Sequence, residues 1–255
     1  MTVADPHAHK MHLMEHLREL RTRIIFCAAI ICVGATVSYS YASQIFNVLC
    51  APFFVAFPNS PLIGTAPSEA WFLKLKVSIF AGGVLTAPAL FHQLWRFISP
   101  GLYPKERKFA LPFVTLATLL FGAGASFCYY MVLPIAFAFF HHEFISIGVT
   151  PNIKIGEQVS MTLTALAGFG AIFELPLITF VLARLGLLNH LTLLTWFKHA
   201  VLGIFIIAAV LTPPDVLSQF LMAGPLLVLY VISIGVAFLA TRSANKVPHP
   251  IIDTK

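Results

Sequence analysis

Charge is what this chain has least of. Its 255 residues include 16 Lys or Arg and 10 Asp or Glu, so 10% are charged. A soluble globular protein carries about 25%. No polar stretch is long enough to build a soluble domain, and 58% of the residues are hydrophobic. The sequence therefore describes an integral membrane protein that is almost entirely membrane domain. There is no G-x-x-x-x-G-K-[ST] phosphate loop, which argues against an NTP-driven pump. The four cysteines (Cys27, Cys32, Cys50, Cys128) form no C-x-x-C pair and read as small buried hydrophobes. Basic residues do not interleave with aromatics, so no nucleic acid is expected. A short signal-type apolar run is also missing. The first 23 residues are polar and the run after them has full span length, so no removable signal is expected.

What is present is a series of apolar runs. A hydrocarbon core of about 30 Å takes about 20 helical residues to cross. Runs begin at Ile24, Trp71, Phe109, Gln158, Ala200 and Val216. The third, Phe109 to Phe140, is too long for one crossing and is expected to project outward and bend near Pro134. The fifth, Ala200 to Leu211, is short, so the hairpin it forms with the sixth is expected to be thin. Of the 16 basic residues, thirteen lie in the N-terminal segment, the 95–108 loop, the 184–198 loop and the C-terminal tail. Residues 43–70 have none and contain Pro52, Pro58, Pro61 and Pro67, which reads as an external loop. Lys and Arg stay on the cytoplasmic side. The expectation is an all-α, polytopic protein of six transmembrane helices with both termini cytoplasmic. Residues 1–23 form a cytoplasmic amphipathic segment, 24–240 the membrane region and 241–255 a cytoplasmic tail.

Within the N-terminal segment Leu13, Leu17, Leu20 and Ile24 share one helical stripe, as on a helix lying at the membrane surface. Glu19 can pair with Arg23 four residues on. His12, Glu15 and His16 match the H-x-x-E-H pattern of inverted zincins. With no soluble domain to supply a cleft and a further ligand, a solvated helix face is the better reading. No metal or cofactor is expected. Glu106 stands alone among Arg96, Lys105, Arg107 and Lys108 and reads locally as a salt-bridged acid. Asp215, after Thr212-Pro213-Pro214, reads as a helix cap. Pro52 reads as a loop breaker. Glu174 is different. It lies in G-F-G-A-I-F-E-L-P, ten residues before Arg184, or about 15 Å inside the membrane at helical rise. An acid at that depth is costly, so function is its default reading.

Four separated segments carry a family resemblance. They are H-L-R-E-L-R-T-R (16–23), F-I-S-P-G-L-Y-P-K-E-R (97–107), F-E-L-P (173–176) and L-T-P-P-D-V-L-S-Q (211–219). In order, spacing and membrane placement they resemble TatC, the family of receptor subunits of the twin-arginine protein translocase. The resemblance covers about residues 11–240. It implies a concave six-helix bundle in the bacterial cytoplasmic (inner) membrane. Such a protein binds the twin-arginine signal peptides of folded cargo and works with the single-span partners TatA and TatB and with other copies of itself, driven by the proton-motive force. It implies signal-binding roles for Glu19 and Glu106, with Phe97 and Arg21 beside them. It also implies an external-loop role for Pro52, an intramembrane role for Glu174, and partner contacts at Thr212, Pro214, Asp215 and Gln219. The N-terminal His cluster and Glu15 have no counterpart in the family motif. The chain is not expected to be an enzyme. A small-solute secondary transporter is the alternative, but its class shows midplane polar groups in both halves of a repeat. Here the one midplane acid lies in the second half.

Overall fold

A computed structural model of the chain describes residues 6–58, 60–99, 110–211 and 216–244. It is all-α apart from one two-residue ladder. In order, the elements are α1 (Pro6–Tyr39), α2 (Ala42–Ala56), β1 (Leu62–Ile63), α3 (Glu69–Leu85) and α4 (Ala87–Ile98). Then come α5 (Ala110–Phe127), a π-helical segment (Cys128–Val132) and α6 (Leu133–Ser146). β2 (Ile153–Lys154), α7 (Ile155–Phe173), α8 (Leu175–Arg184), α9 (His190–Thr195), α10 (Phe197–Leu211) and α11 (Val216–Ala244) complete the chain. Among the described residues, four helical stretches are long and apolar enough to cross a membrane: Leu17–Tyr39, Ala110–Ser146, Ile155–Arg184 and Met222–Thr241. The pair α3 and α4 makes a fifth, bent by 60°. Two shorter apolar helices, α2 and α10, remain, and α10 lies where the short fifth span is expected, which is consistent with six.

The chain divides into two units, residues 1–48 with 66–118, and residues 49–65 with 119–255. In the first unit α1 runs without a break from the polar segment into the first span. The expected helix lying on the surface is instead continuous with the span, because residues 7–33 contain neither Pro nor Gly to stop it. Its apolar stripe faces away from the protein: Leu17, Leu20 and Ile24 are exposed. α1 packs on α3 at a glycine pair. A Cβ on Gly34 would stand 2.7 Å from the Gly82 carbonyl oxygen, and one on Gly82 would run into the Ala35 backbone. The second span, expected to be continuous, breaks at Thr86. Its hydroxyl donates to the Gly82 carbonyl at 2.7 Å, and Pro88 opens α4 without an N–H to continue the ladder. Beyond the break, Trp95 lies on Phe113 of α5 with ring centroids 4.6 Å apart. The two helices flanking residues 100–109 therefore stay together.

In the second unit, near Pro134 where a bend is expected, the helix carries a π segment within one continuous stretch. The Leu133 N–H reaches back five residues to the Cys128 carbonyl. Pro134 lies in the first turn of α6. Pro52 requires a correction. It breaks no loop; it is buried within α2. Aromatic packing holds that helix in place. Phe53 stacks on Phe57 at 4.8 Å and meets Phe137 edge-on at 5.8 Å, while Phe57 meets His141 edge-on at 4.9 Å. β1 pairs with β2 in parallel, Leu62 with Ile153, so the 43–70 segment is tied to the connection between α6 and α7. α8 and α11 pack through Ala183, Ala237 and Ala240 around Leu193.

Gly82→Ala is expected to lower stability by about 1–3 kcal/mol, the usual range for overpacking, because the Ala35 backbone leaves no room. Gly83→Ala, whose Cβ would meet nothing within 4 Å, should leave it unchanged. Unfolding midpoints of the two variants in one detergent check the difference. Equal midpoints would mean the helices do not meet at Gly82.

Candidate functional site

In the first unit polar groups converge around Glu19 and Arg23, near the middle of α1. Arg23 Nη2 donates to Glu19 Oε1 at 2.7 Å, the pair expected from the i,i+4 spacing. Arg23 Nη1 donates to Gln93 Oε1 at 3.0 Å, which ties α1 to α4. Gln93 is buried. A cleft of about 440 Å³ opens here, lined by Glu19, Thr22, Arg23, Phe26, Gln93 and Arg96. The Glu19 side chain keeps 34% of its surface exposed against 19% for Arg23. The acid is thus reachable from the cleft while the arginine is more deeply set. Arg21 is fully outside, on the exposed face of α1, and Phe97 is half-buried at the end of α4. Glu106, the second expected carboxylate, lies outside the described residues, in the segment that α4 leads into.

Sequence reasoning missed Gln93. The signal was there: an amide inside an apolar run needs a partner, since a buried polar group left unpaired is costly. It found none because its partner, Arg23, is 70 residues away. Arg96 was counted for the charge balance and not as a cleft residue. Thr22 and Phe26 carried no signal of their own.

Glu174 lies where α7 gives way to α8, with Pro176 in the first turn of the second helix. It is 7% exposed. The Phe121 backbone contributes a hydrogen bond to its carboxyl group. Among the described residues Oε1 has no hydrogen-bond partner. α5 approaches α7 closely beside it. A Cβ on Gly124 would stand 2.5 Å from the Phe169 carbonyl oxygen. The acid is thus buried where α5 and α7 meet closely, with one oxygen still able to take a donor.

Thr212, Pro214 and Asp215 lie outside the described residues. Gln219, the fourth residue of that set, is described. Its Nε2 donates to the Phe205 carbonyl at 2.9 Å, and Phe220 meets Phe205 edge-on at 5.1 Å. One end of the amide therefore ties α11 to α10 across the hairpin. Lower in the hairpin, Tyr230 Oη donates to the Leu193 carbonyl at 2.9 Å. His12, Glu15 and His16 fall on α1, and their side chains are outside the description.

Long apolar helices, three of them interrupted next to a proline and one of these carrying a buried acid at the break, define a multi-pass membrane protein. The model of the family described as Sec-independent protein translocase protein (TatC) matches residues 15–225. The TatC protein of Campylobacter jejuni is 40% identical over 238 residues, covering 92% of this chain and 96% of the relative. That of Carboxydothermus hydrogenoformans is 41% identical over 228 residues, covering 89% and 93%. A crystal structure of the twin-arginine translocase receptor TatC superposes with a TM-score of 0.81 at 36% identity, covering 89% of this chain and 100% of that one. The chain belongs to the TatC family of the twin-arginine protein translocase.

Gln219→Leu is expected to lower stability by about 1 kcal/mol, the net worth of one hydrogen bond, because the Phe205 carbonyl loses its side-chain donor. A chemical-denaturation midpoint in detergent reads this. No shift would show that the amide faces away from α10.

Proposed function

We propose that this protein is the receptor core of a twin-arginine translocation system in the bacterial cytoplasmic membrane. It binds the twin-arginine signal peptide of a folded cargo protein and organises single-span TatA and TatB subunits, and further copies of itself, around it. The proton-motive force drives the passage. Membership of a protein-translocase family supports the class. The observation that carries the binding role is the placement of Glu19. It is an acid lining a cleft, with about a third of its side chain open to solvent, next to the helix that leads toward Glu106 in the sequence. Two adjacent guanidinium groups point apart in most backbone conformations. Two carboxylates from separate segments suit them better than one. Arginine is favoured over lysine because its planar fork bonds a carboxylate with two parallel N–H groups. Arg21, Arg23, Lys105, Arg107 and Lys108 repel a merely basic segment, leaving the acids as the attractive points. Phe97 supplies an apolar contact beside them, and Pro52, within α2, is assigned to the external side.

The test is a binding titration with Arg-Arg and Lys-Lys signal peptides. Glu19→Ala and Glu106→Ala are each expected to weaken Arg-Arg binding by about tenfold to a hundredfold, the worth of a charge-assisted hydrogen bond, with the protein still folded. High salt should weaken wild-type binding as well, because the site is at the aqueous surface. Variants that bind the Arg-Arg peptide as the wild type does would show that the acids are structural.

Glu174 is assigned a contact with a polar group of a partner helix or of the signal peptide, through its unpartnered Oε1. Thr212, Pro214, Asp215 and Gln219 are assigned to the surface met by partner helices. Glutamine keeps the shape and hydrogen-bonding capacity of a carboxylic acid, so Glu174→Gln should export more cargo than Glu174→Ala at equal expression. Export by the alanine variant at the wild-type level would remove the role.

A further inference from the structure

The carboxylate assigned above to cargo is already engaged by an arginine of the chain itself. Arg23 places one arm of its fork, Nη2, on Glu19 Oε1 at 2.7 Å and the other, Nη1, on Gln93 Oε1 at 3.0 Å. Its Nε is buried and has no partner among the described residues. A guanidinium has five N–H donors and bonds a carboxylate best with two of them side by side. Here the fork is divided between an acid and a neutral amide.

We propose that Arg23 is an internal competitor for the cargo's guanidinium at Glu19, and that Gln93 retains it when cargo displaces it. This makes Arg23 a specificity-determining residue and Gln93 a positioning residue. The proposal rests on the reading of Glu19 as a signal-binding carboxylate.

Arg23 holds only Oε1, so a cargo guanidinium that is to take both oxygens of Glu19 in a fork must make Arg23 give up its charge-assisted hydrogen bond. A cargo guanidinium replaces that bond with one of the same kind and can add a second, parallel one. A lysine ammonium is a compact, strongly hydrated point charge and cannot match a fork on a carboxylate. The competitor therefore sets a threshold that arginine clears and lysine does not. Specificity is a difference of affinities, and a competitor held inside the site enlarges it without touching the ligand. Gln93 makes the exchange possible. A partly buried charge stripped of every partner is strongly destabilising. The Gln93 oxygen comes from α4, not from α1, so the Arg23–Gln93 bond need not break when the Arg23–Glu19 bond does. The cleft beside them provides room for an entering side chain.

The test uses the full-length protein in lipid nanodiscs, titrated with synthetic signal peptides bearing Arg-Arg or Lys-Lys. Arg23→Gln is expected to tighten Arg-Arg binding about tenfold, the lower end for a charge-assisted hydrogen bond, and to tighten Lys-Lys binding less. Arg23→Lys keeps the charge and loses the fork, so it should tighten Arg-Arg binding by a smaller factor. It also serves if the glutamine variant does not fold. Gln93→Ala should weaken Arg-Arg binding severalfold. Weaker or unchanged Arg-Arg binding in both Arg23 variants overturns the proposal. So does equal tightening of both peptides by Arg23→Gln, since that reports only lost repulsion. Glu19→Ala separates the two levels: no effect there brings down the reading of Glu19 itself, whereas a large effect with unresponsive Arg23 variants brings down the competitor alone.

Discussion

Apolar side chains gain nothing by leaving lipid for one another. Helices in a bilayer must therefore be held by close van der Waals contact and by polar groups that find partners. The contact of Gly34 with Gly82 is the clearest case here. It brings two backbones together with no side chain between them. The position of α4 follows from it. α3 is fixed against α1, the 60° break at Thr86 redirects the chain, and Gln93 then lies within hydrogen-bonding distance of Arg23. An alanine at Gly82 would act on the Glu19 cleft although it is far from it in sequence.

Prolines mark where the spans are broken, and each break does something different. Pro88 follows a bend, Pro134 follows a π segment, and Pro176 follows the buried acid Glu174. All three lie in the first turn of the helix that continues the span, where a missing N–H leaves no hydrogen bond unmade in the new helix. A break exposes carbonyls that lipid cannot satisfy. In membrane proteins such irregular backbone is confined to places covered by protein or lining a cavity. Glu174 is at one of these places.

The parts of the molecule that follow from local pattern could be read from the sequence. The spans came from run length, the Glu19–Arg23 pair from i,i+4 spacing, and the disturbance near Pro134 from the missing N–H. The parts that depend on distant partners could not. α2 was taken for loop because Pro52 and its neighbours signal a break. Its helix is held by Phe53 and Phe57 against Phe137 and His141, which lie some 80 residues further on. Gln93 has no partner within its own helix to reveal it, because Arg23 is 70 residues earlier. The break at Thr86 was missed because Thr-Ala-Pro within an apolar run is compatible with a continuous helix. The roles of Glu106 and Asp215 rest on motif alone.

The pairing of Leu62 with Ile153 has a consequence for biosynthesis. Chains emerge from the ribosome at about 5–20 residues per second and fold from the N-terminus. α1 can meet α3 as soon as the first hundred residues are made. β1 cannot pair, and Phe53 and Phe57 cannot be covered, until residues 137–154 have also been delivered to the membrane. For several seconds the nascent protein carries an unpaired strand and an uncovered aromatic face on a half-finished bundle. The segment between α1 and α3 is thus made early and completed late, and the growing chain needs protection there until the third span is in place.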